Sequence, residues 1–398
     1  MPRAERASIP RTVWTLGYVS LFMDLSSELI HALLPIFLVT TMGMSVAALG
    51  ALEGAAEATA LITKMFSGAL SDYLGRRKGL LLWGYGLAAL TKPMFPLATS
   101  PVMVAVARLL DRVGKGIRGA PRDAMVADVA PASIRGACFG LRQSMDTVGA
   151  FLGPILAMGL MLVFGGNIRA VLWFAVLPAC VVIGLIVFGV AESGQAPLAP
   201  VFRSPLSWHS LKDFSRRYWL IVGVGAMFSL ARFSEAFLVL RAQQTGLALA
   251  WIPGVMVVMS AAYSLSAYPA GKLLDRVDGR VVLGLGMGML VAADLLLAKA
   301  GSAWILFVGV TVWGLHMGFT EGILTAMVSA VAPAALRGTA FGVFNLACGV
   351  SVLVASVVAG WVWDRYGSAT TFAVGAGLVV LPLALCAFLP RRATEFTH

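Results

Sequence analysis

The chain has 398 residues, 59% of them hydrophobic and only 12% charged, with a formal net charge of +11. Soluble domains carry about 25% charged residues, so this composition argues against a water-soluble protein and makes a lipid bilayer the natural solvent. The four cysteines, Cys138, Cys180, Cys348 and Cys386, lie in apolar stretches without metal-type spacing and read as small buried residues.

Taken in chain order, apolar windows fall at about 13–40, 46–70, 79–98, 101–121, 137–164, 169–190, 218–240, 250–271, 281–299, 303–328, 339–363 and 369–389. Each approaches the roughly 20 residues that cross a ~30 Å hydrocarbon core. No stretch alternates with period two, which argues against a β-barrel. The expected fold is therefore an all-α polytopic membrane protein with twelve transmembrane helices. With the amino terminus in the cytoplasm, Arg76, Arg77, Lys78, Arg216, Arg217, Arg276, Arg280, Arg391 and Arg392 face that side. Little more than Lys92, Arg169, Arg241, Lys299 and Arg365 faces outward. That asymmetry puts both termini in the cytoplasm. It also accounts for the positive charge as topology and lipid contact rather than a nucleic-acid groove. The polar start shows no removable signal peptide.

The first span carries Asp24, Glu28 and His31, and the second carries Glu57. The loop after it reads Gly68-Ala69-Leu70-Ser71-Asp72-Tyr73-Leu74-Gly75-Arg76-Arg77-Lys78. The fourth span is dense in charge, with Arg108, Asp111, Arg112, Lys115, Arg118 and Arg122. A lipid-facing charge at mid-bilayer costs on the order of 2.5–3.5 kcal/mol on insertion scales, so these groups should line a cavity or pair with acids. Asp123 and Asp128 follow on the same span. The fifth span holds Asp146 together with Gly140, Gly149, Gly153 and Pro154. Gly149 and Gly153 share one helix face, and Pro154 removes a backbone donor and bends the helix.

A polar stretch rich in Pro, Ser and Arg, about 191–217, reads as a cytoplasmic linker. Beyond it the first half is echoed. Gly271-Lys272-Leu273-Leu274-Asp275-Arg276-Val277-Asp278-Gly279-Arg280 is a degraded copy of the loop at Gly68. Pro333-Ala334-Ala335-Leu336-Arg337-Gly338 repeats Pro131-Ala132-Ser133-Ile134-Arg135-Gly136, and Phe233-Ser234-Glu235 answers Ser26-Ser27-Glu28. These echoes predict two pseudo-symmetric six-helix bundles, 1–190 and 218–398. Arg232 and Glu235 sit within the seventh span, and His316 and Glu321 within the tenth. A further look-alike of the loop, Gly360-Trp361-Val362-Trp363-Asp364-Arg365-Tyr366-Gly367, falls on the outer side.

The loop at Gly68 resembles Gly-x-x-x-Asp-(Arg/Lys)-x-Gly-(Arg/Lys)-(Arg/Lys), the signature of the major facilitator superfamily, with Tyr73 where a basic residue is usual. The resemblance implies that Gly68, Asp72, Gly75 and Arg76 form a cytoplasmic gate. Asp72 would then lie by the amino terminus of the eleventh span, and Arg76 would pair with Asp123 or Asp128. Gly140, Gly149, Gly153 and Pro154 resemble the family's proton-driven exporter motif, and the stretch from Arg112 resembles its proton-coupling arginine segment. In this family the first, fourth, seventh and tenth spans line the central cavity, which would place His31, Arg108, Arg232, Glu235, His316 and Glu321 there.

A carboxylate in such a cavity can take a proton from one side and release it to the other, whereas arginine stays charged. Glu28 or Asp24 is the expected proton carrier, with Arg112 as fixed counter-charge and Asp146 as its partner. His31 and His316 read as hydrogen-bonded neighbours rather than metal ligands. No nucleotide-binding loop, nucleophile elbow or metalloprotease helix occurs. The expectation is thus a non-enzymatic, monomeric transporter of the bacterial inner membrane, with neither cofactor nor metal. It would export a small charged or zwitterionic molecule against protons, with membrane lipid as its surroundings. The alternative is a proton symporter importing a metabolite, siderophore or metal chelate. A flux-free sensor is disfavoured by the lack of a sizeable soluble segment.

Overall fold

The computed structural model describes residues 8–74, 77–191, 210–333 and 336–389, and its regular elements are all helical. Most of the expected linker at 191–217 lies outside the described residues, as do Gly75 and Arg76. Backbone groups in hydrocarbon have no water to bond to, so apolar segments of this length satisfy their own N–H and C=O groups as helices. The long helices are α1 (Arg11–His31), α2 (Val46–Leu74), α3 (Arg77–Thr91), α4 (Pro101–Val129), α5 (Arg135–Val163) and α6 (Val176–Gly189). The remainder are α7 (Arg216–Ala231), α8 (Ala236–Gln244), α9 (Gly254–Arg276), α10 (Gly279–Ala298), α11 (Ala303–Val331), α12 (Arg337–Tyr366) and α13 (Ser368–Leu385).

Among the described residues, 10 helical stretches are long and apolar enough to cross a membrane. The expected third and fourth spans are the two that miss this measure. α3 runs for only 15 residues before the turn at Lys92 and Pro93 separates it from the short helix Met94–Leu97. α4 has the length, at 29 residues, but is dense in charge, from Arg108 to Asp128.

Local signals set several helix ends. Ser100 accepts a hydrogen bond from the Met103 amide ahead of Pro101, a polar N-cap followed by a proline in the first turn. Ser215 caps α7 in the same way through the Tyr218 amide. The seventh span is interrupted between α7 and α8, where Arg232, Phe233 and Ser234 leave the helix. Freed backbone there is satisfied by hydroxyls: Ser356 Oγ accepts from the Ser234 amide at 3.2 Å, and Ser234 Oγ accepts from the Ala236 amide. The interruption presents Arg232 and Glu235 from its two lips, an arrangement open to a helix only where side chains re-satisfy the backbone.

The chain divides into two compact units, Met1–His31 with Thr63–Ser204, and Ala32–Ile62 with Pro205–His398. In the first unit α1 packs on α5 and α6, and α3 packs on α4 and α6. Its core holds Val13, Leu16, Val19 and Met23 of α1 with Leu81, Tyr85 and Ala88 of α3, and Val182 and Ile186 of α6. Lipid tails are as apolar as leucine, so contact here depends on close packing more than on escape from water. Gly84 and Gly114 supply it, since a Cβ on either would strike the other helix's backbone at 2.8 and 2.6 Å.

In the second unit α10 packs on α11 and α13, and α9 packs on α11. An aromatic cluster of Phe233, Phe237, Trp313, Trp363 and Phe372 fills the space around the interrupted span. The upper half of α2 lies against α12 along small residues, with Gly50 on the Ser356 carbonyl, Gly54 on Leu353 and Gly360 on Val46 and Ala47. At the end of this seam the Asp364 carboxylate accepts from the Val46 and Ala47 amides at 3.2 and 2.8 Å, capping α2. The look-alike Gly360–Gly367 is thus a helix clasp. Large apolar side chains such as Phe188, Trp83 and Trp304 point outward, as a lipid-facing surface requires. Cys180 is exposed, while Cys138 and Cys386 are buried and Cys348 half-buried.

Candidate functional site

The charge of α4 is drawn into the first unit. Arg108, Asp111, Arg112 and Arg118 are all buried, so the amphipathic pattern of this helix turns its ionised face inward. The most enclosed pair was not anticipated. Lys92, expected as an outward topology charge, is 1% exposed and donates at 2.9 Å to both Asp111 Oδ1 and Ser27 Oγ. Its place at the end of α3, where a proline turn ends the helix, aims the ammonium back between α1 and α4. Arg118 stacks its guanidinium over the Tyr85 ring at 4.8 Å.

Toward the other end of α4 a second cluster joins three helices. Arg122 lies 3.2 Å from Asp123, 3.4 Å from Asp146 of α5 and 3.0 Å from Ser20 Oγ of α1. Arg142, one turn before Asp146 on α5, reaches both Asp146 and Asp123 at 3.7 Å. Asp24 of α1 and Asp146 of α5 face one another where those helices pack, and their carboxyls act on each other electrostatically.

The expected partnership of Asp146 with Arg112 is replaced by Arg122 and Arg142, because α5 meets α4 one to three turns beyond Arg112. Glu28 turns to its own helix, its Oε2 lying 3.3 Å from His31 Nδ1, with Arg112 and Lys115 acting on it electrostatically.

The gate residues are partly described. Gly68 faces Ala120 of α4 at van der Waals distance, and Ser67 donates to the Gly116 carbonyl. Asp128 pairs at 3.1 Å with Arg77, while Arg76 lies outside the described residues. Asp123 goes to Arg122 and Arg142. The Asp72 side chain lies outside the described residues. Of the fifth-span motif, Gly149 and Gly153 press against α1: a Cβ at Gly149 would enter the Leu21 carbonyl, and one at Gly153 would meet Glu28 Cβ at 2.8 Å. Gly140 has open space, and Pro154 lies buried within the continuous helix α5.

The second unit has its own charged centre. Arg232, presented by the interrupted span, binds Glu321 of α11 at 2.6 Å and Glu235 at 3.8 Å. Glu57 of α2 acts on the same guanidinium, and Tyr263 of α9 donates to Glu321. Three of the expected cavity residues are thereby gathered around one cation. His316 is fully buried with its ring edge-on to Trp313 at 5.2 Å, within the aromatic cluster. No group of three or more His, Cys, Asp or Glu residues suited to a metal occurs among the described residues.

Residues 16–355 match the profile of the Major Facilitator Superfamily. An uncharacterised MFS-type transporter of Methanocaldococcus jannaschii is 27% identical over 387 residues, covering 96% of this chain and 95% of its own length. The inner membrane transport protein YajR of Escherichia coli is 24% identical, covering 94% of this chain and 82% of its own. The crystal structure of the human organic anion transporter MFSD10 superposes with a TM-score of 0.66 at 20% identity, covering 96% of this chain and 100% of that one.

Proposed function

The chain belongs to the Major Facilitator Superfamily, and we propose that it is a proton-coupled exporter of a small charged or zwitterionic molecule. It is a multi-pass membrane transporter with about ten apolar helices. The observation that supports the coupling is the approach of two carboxyls, Asp24 and Asp146, beside Arg122 and Arg142 inside the first unit, where we infer that they share one proton. The arginines stay charged, so the carboxyl pair is the part that loads and unloads. Loss of the proton leaves two anions in contact, which separate or recruit the guanidiniums more fully. A change in proton content therefore becomes a change in how α1, α4 and α5 pack. Alternating access is the mode of transport proposed for the two bundles, 1–190 and 218–398.

Two further features support export and an ionic cargo. The seating of Gly149 and Gly153 on α1 keeps that face free of voids, as a seal against proton leak requires. Each unit holds ionised side chains of its own, Arg108, Arg112 and Arg118 on α4 in the first and Arg232 ringed by Glu235, Glu321 and Glu57 in the second, which supports an ionic cargo. Gly68, Asp128 and Arg77 would form the cytoplasmic gate, with both termini on that side of a bacterial inner membrane.

The test is reconstitution into liposomes with an imposed pH gradient and an internal pH dye. Panels of amino acids, dipeptides, organic cations and organic anions are then added. Export predicts that proton movement into the lumen accompanies substrate movement out of it. Co-directional movement would replace antiport with import by symport, and substrate flux indifferent to the gradient would end the proton-coupled reading.

A further inference from the structure

The internal repeat gives a way to read residues that the charged clusters leave aside. The spacing that carries Pro131 onto Pro333 and Gly84 onto Gly286 also carries Lys92 onto Asp294, and Asp111 onto Trp313. The correspondence is structural as well. Gly84 seats α3 on α4 against Arg118 and Gly114, and Gly286 seats α10 on α11 against Phe319 and Thr320. In the first unit this position holds the ion pair of Lys92 and Asp111. In the second the cation has become an aspartate and its acid a tryptophan, so the acid stands where a base stood and has lost its counter-ion.

Asp294 is 0% exposed, and neither carboxyl oxygen has a hydrogen-bond partner among the described residues. The indole N–H of Trp313 is likewise buried and unbonded. The enclosure is apolar. Gly375 of α13 leaves just the room the carboxyl needs, since a Cβ there would stand 2.8 Å from Asp294 Oδ2 and 2.9 Å from the Phe233 ring. Phe233 in turn packs on Trp313 and Phe372 at 5.6 and 5.4 Å.

The ionisable groups of the packed elements are engaged elsewhere or uncharged. On α11, Glu321 is bound to Arg232 and the His316 ring lies against Trp313 and Phe228. On α9, Tyr263 serves Glu321 and Lys272 lies over the Tyr268 ring, with Arg276 at the far end of the helix. Ser368–Leu385 of α13 contains no ionisable residue, and Cys386 follows it. Arg241 of α8 ends one turn along from Asp294, but its guanidinium is spent on the carbonyls of Leu297, Ala298 and Ala300 and on Gln244 and Ser368.

We propose that Asp294 is a proton-binding site of the second unit, distinct from the pair Asp24 and Asp146. An ionised carboxylate in this enclosure would lack a counter-ion, at a cost of several kcal/mol that a single neutral donor does not offset; a bound proton removes that charge. When the proton leaves, the carboxylate stands about one helical turn from the carbonyls that Arg241 holds, while the exposed Lys299 follows at the end of α10. The guanidinium then gives up backbone carbonyls for the carboxylate, loosening its hold on the turn that joins α10 to α11. The proton binds and leaves whatever the cargo; only its part in transport rests on the proton-coupled reading above.

The test is infrared difference spectroscopy of the full chain in lipid, between acidic and alkaline buffer, on wild type, Asp294→Asn and Asp24→Asn. Asparagine copies the size and neutrality of the protonated acid, so the fold is expected to hold. The expected result is a carbonyl band of a protonated carboxyl that appears on acidification, persists in Asp24→Asn and is missing in Asp294→Asn. A spectrum unchanged by Asp294→Asn overturns the proposal. Labelling of wild type by dicyclohexylcarbodiimide, mapped by mass spectrometry, gives a second reading without a variant. Modification of Asp294 that falls as pH rises supports the site; modification indifferent to pH, or none, overturns it. Failure of the Asp24 and Asp146 pair would instead remove coupling while leaving the Asp294 band in place.

Discussion

The ion pair of Lys92 and Asp111 allows the packing account to be tested by number. Its side chains are 1% and 4% exposed and its atoms 2.9 Å apart. Breaking a buried pair from one side leaves a bare charge and costs about 3–5 kcal/mol, while replacing both members with apolar groups of similar volume is neutral or stabilising by about 1–4 kcal/mol. The two single variants should not be equal. Arg112 and Arg118 act on both members. After Lys92→Met, Asp111 still faces those two cations, so the loss lies near about 3 kcal/mol. After Asp111→Leu, Lys92 keeps Ser27 but faces only like charge, so the loss lies near about 5 kcal/mol.

The double variant Lys92→Met with Asp111→Leu should return to within about 1 kcal/mol of wild type or exceed it. Reversible unfolding in mixed SDS and maltoside micelles, followed by tryptophan fluorescence, measures all four proteins. Heating is a poorer choice because irreversible loss reports a rate. Single variants that each cost under about 1 kcal/mol, the reverse order, or strictly additive losses would refute the reasoning.

Gly149→Ala and Gly153→Ala should each cost about 1–3 kcal/mol in the same assay, because the new methyl meets α1 backbone that cannot yield. Gly140→Ala, in the same motif but facing open space, should gain about 0.5–1 kcal/mol through helix propensity. Asp364→Ala should cost about 1 kcal/mol and speed hydrogen exchange at the Val46 and Ala47 amides it caps; unchanged exchange would dismiss the clasp. Glu321→Gln should cost only about 1 kcal/mol, since Arg232 keeps Glu235 and the pair is partly exposed.

Much of this architecture is legible in the sequence because a bilayer enforces it. Apolar length writes the spans, and the charge of α4 announces that it turns inward. The gathering of Arg232, Glu235 and Glu321 also follows from putting intramembrane charge on neighbouring helices. Partner choice is another matter, since it depends on where one helix meets the next. Asp128 takes Arg77 as a partner, a residue the loop pattern did not single out, because neighbouring residues on a helix point about 100° apart. Asp146 takes Arg122 and Arg142 because the contact of α5 with α4 lies beyond Arg112. A charge at the end of an apolar window, such as Lys92, looks like a loop residue in sequence, whereas the turn before Pro93 folds it into the protein. The repeat held the missing signal: aligning the halves sets Lys92 on Asp294, an odd pairing for two topology charges and a natural one for two buried sites.

The central claim is that protons and cargo are coupled through Asp24 and Asp146. It is tested most directly by the ratio of protons to substrate moved in proteoliposomes, compared between wild type and Asp24→Asn with Asp146→Asn. The account predicts that the variant still exchanges substrate across the membrane but moves no protons and ceases to concentrate substrate against a pH gradient. A variant that keeps the wild-type ratio would contradict it.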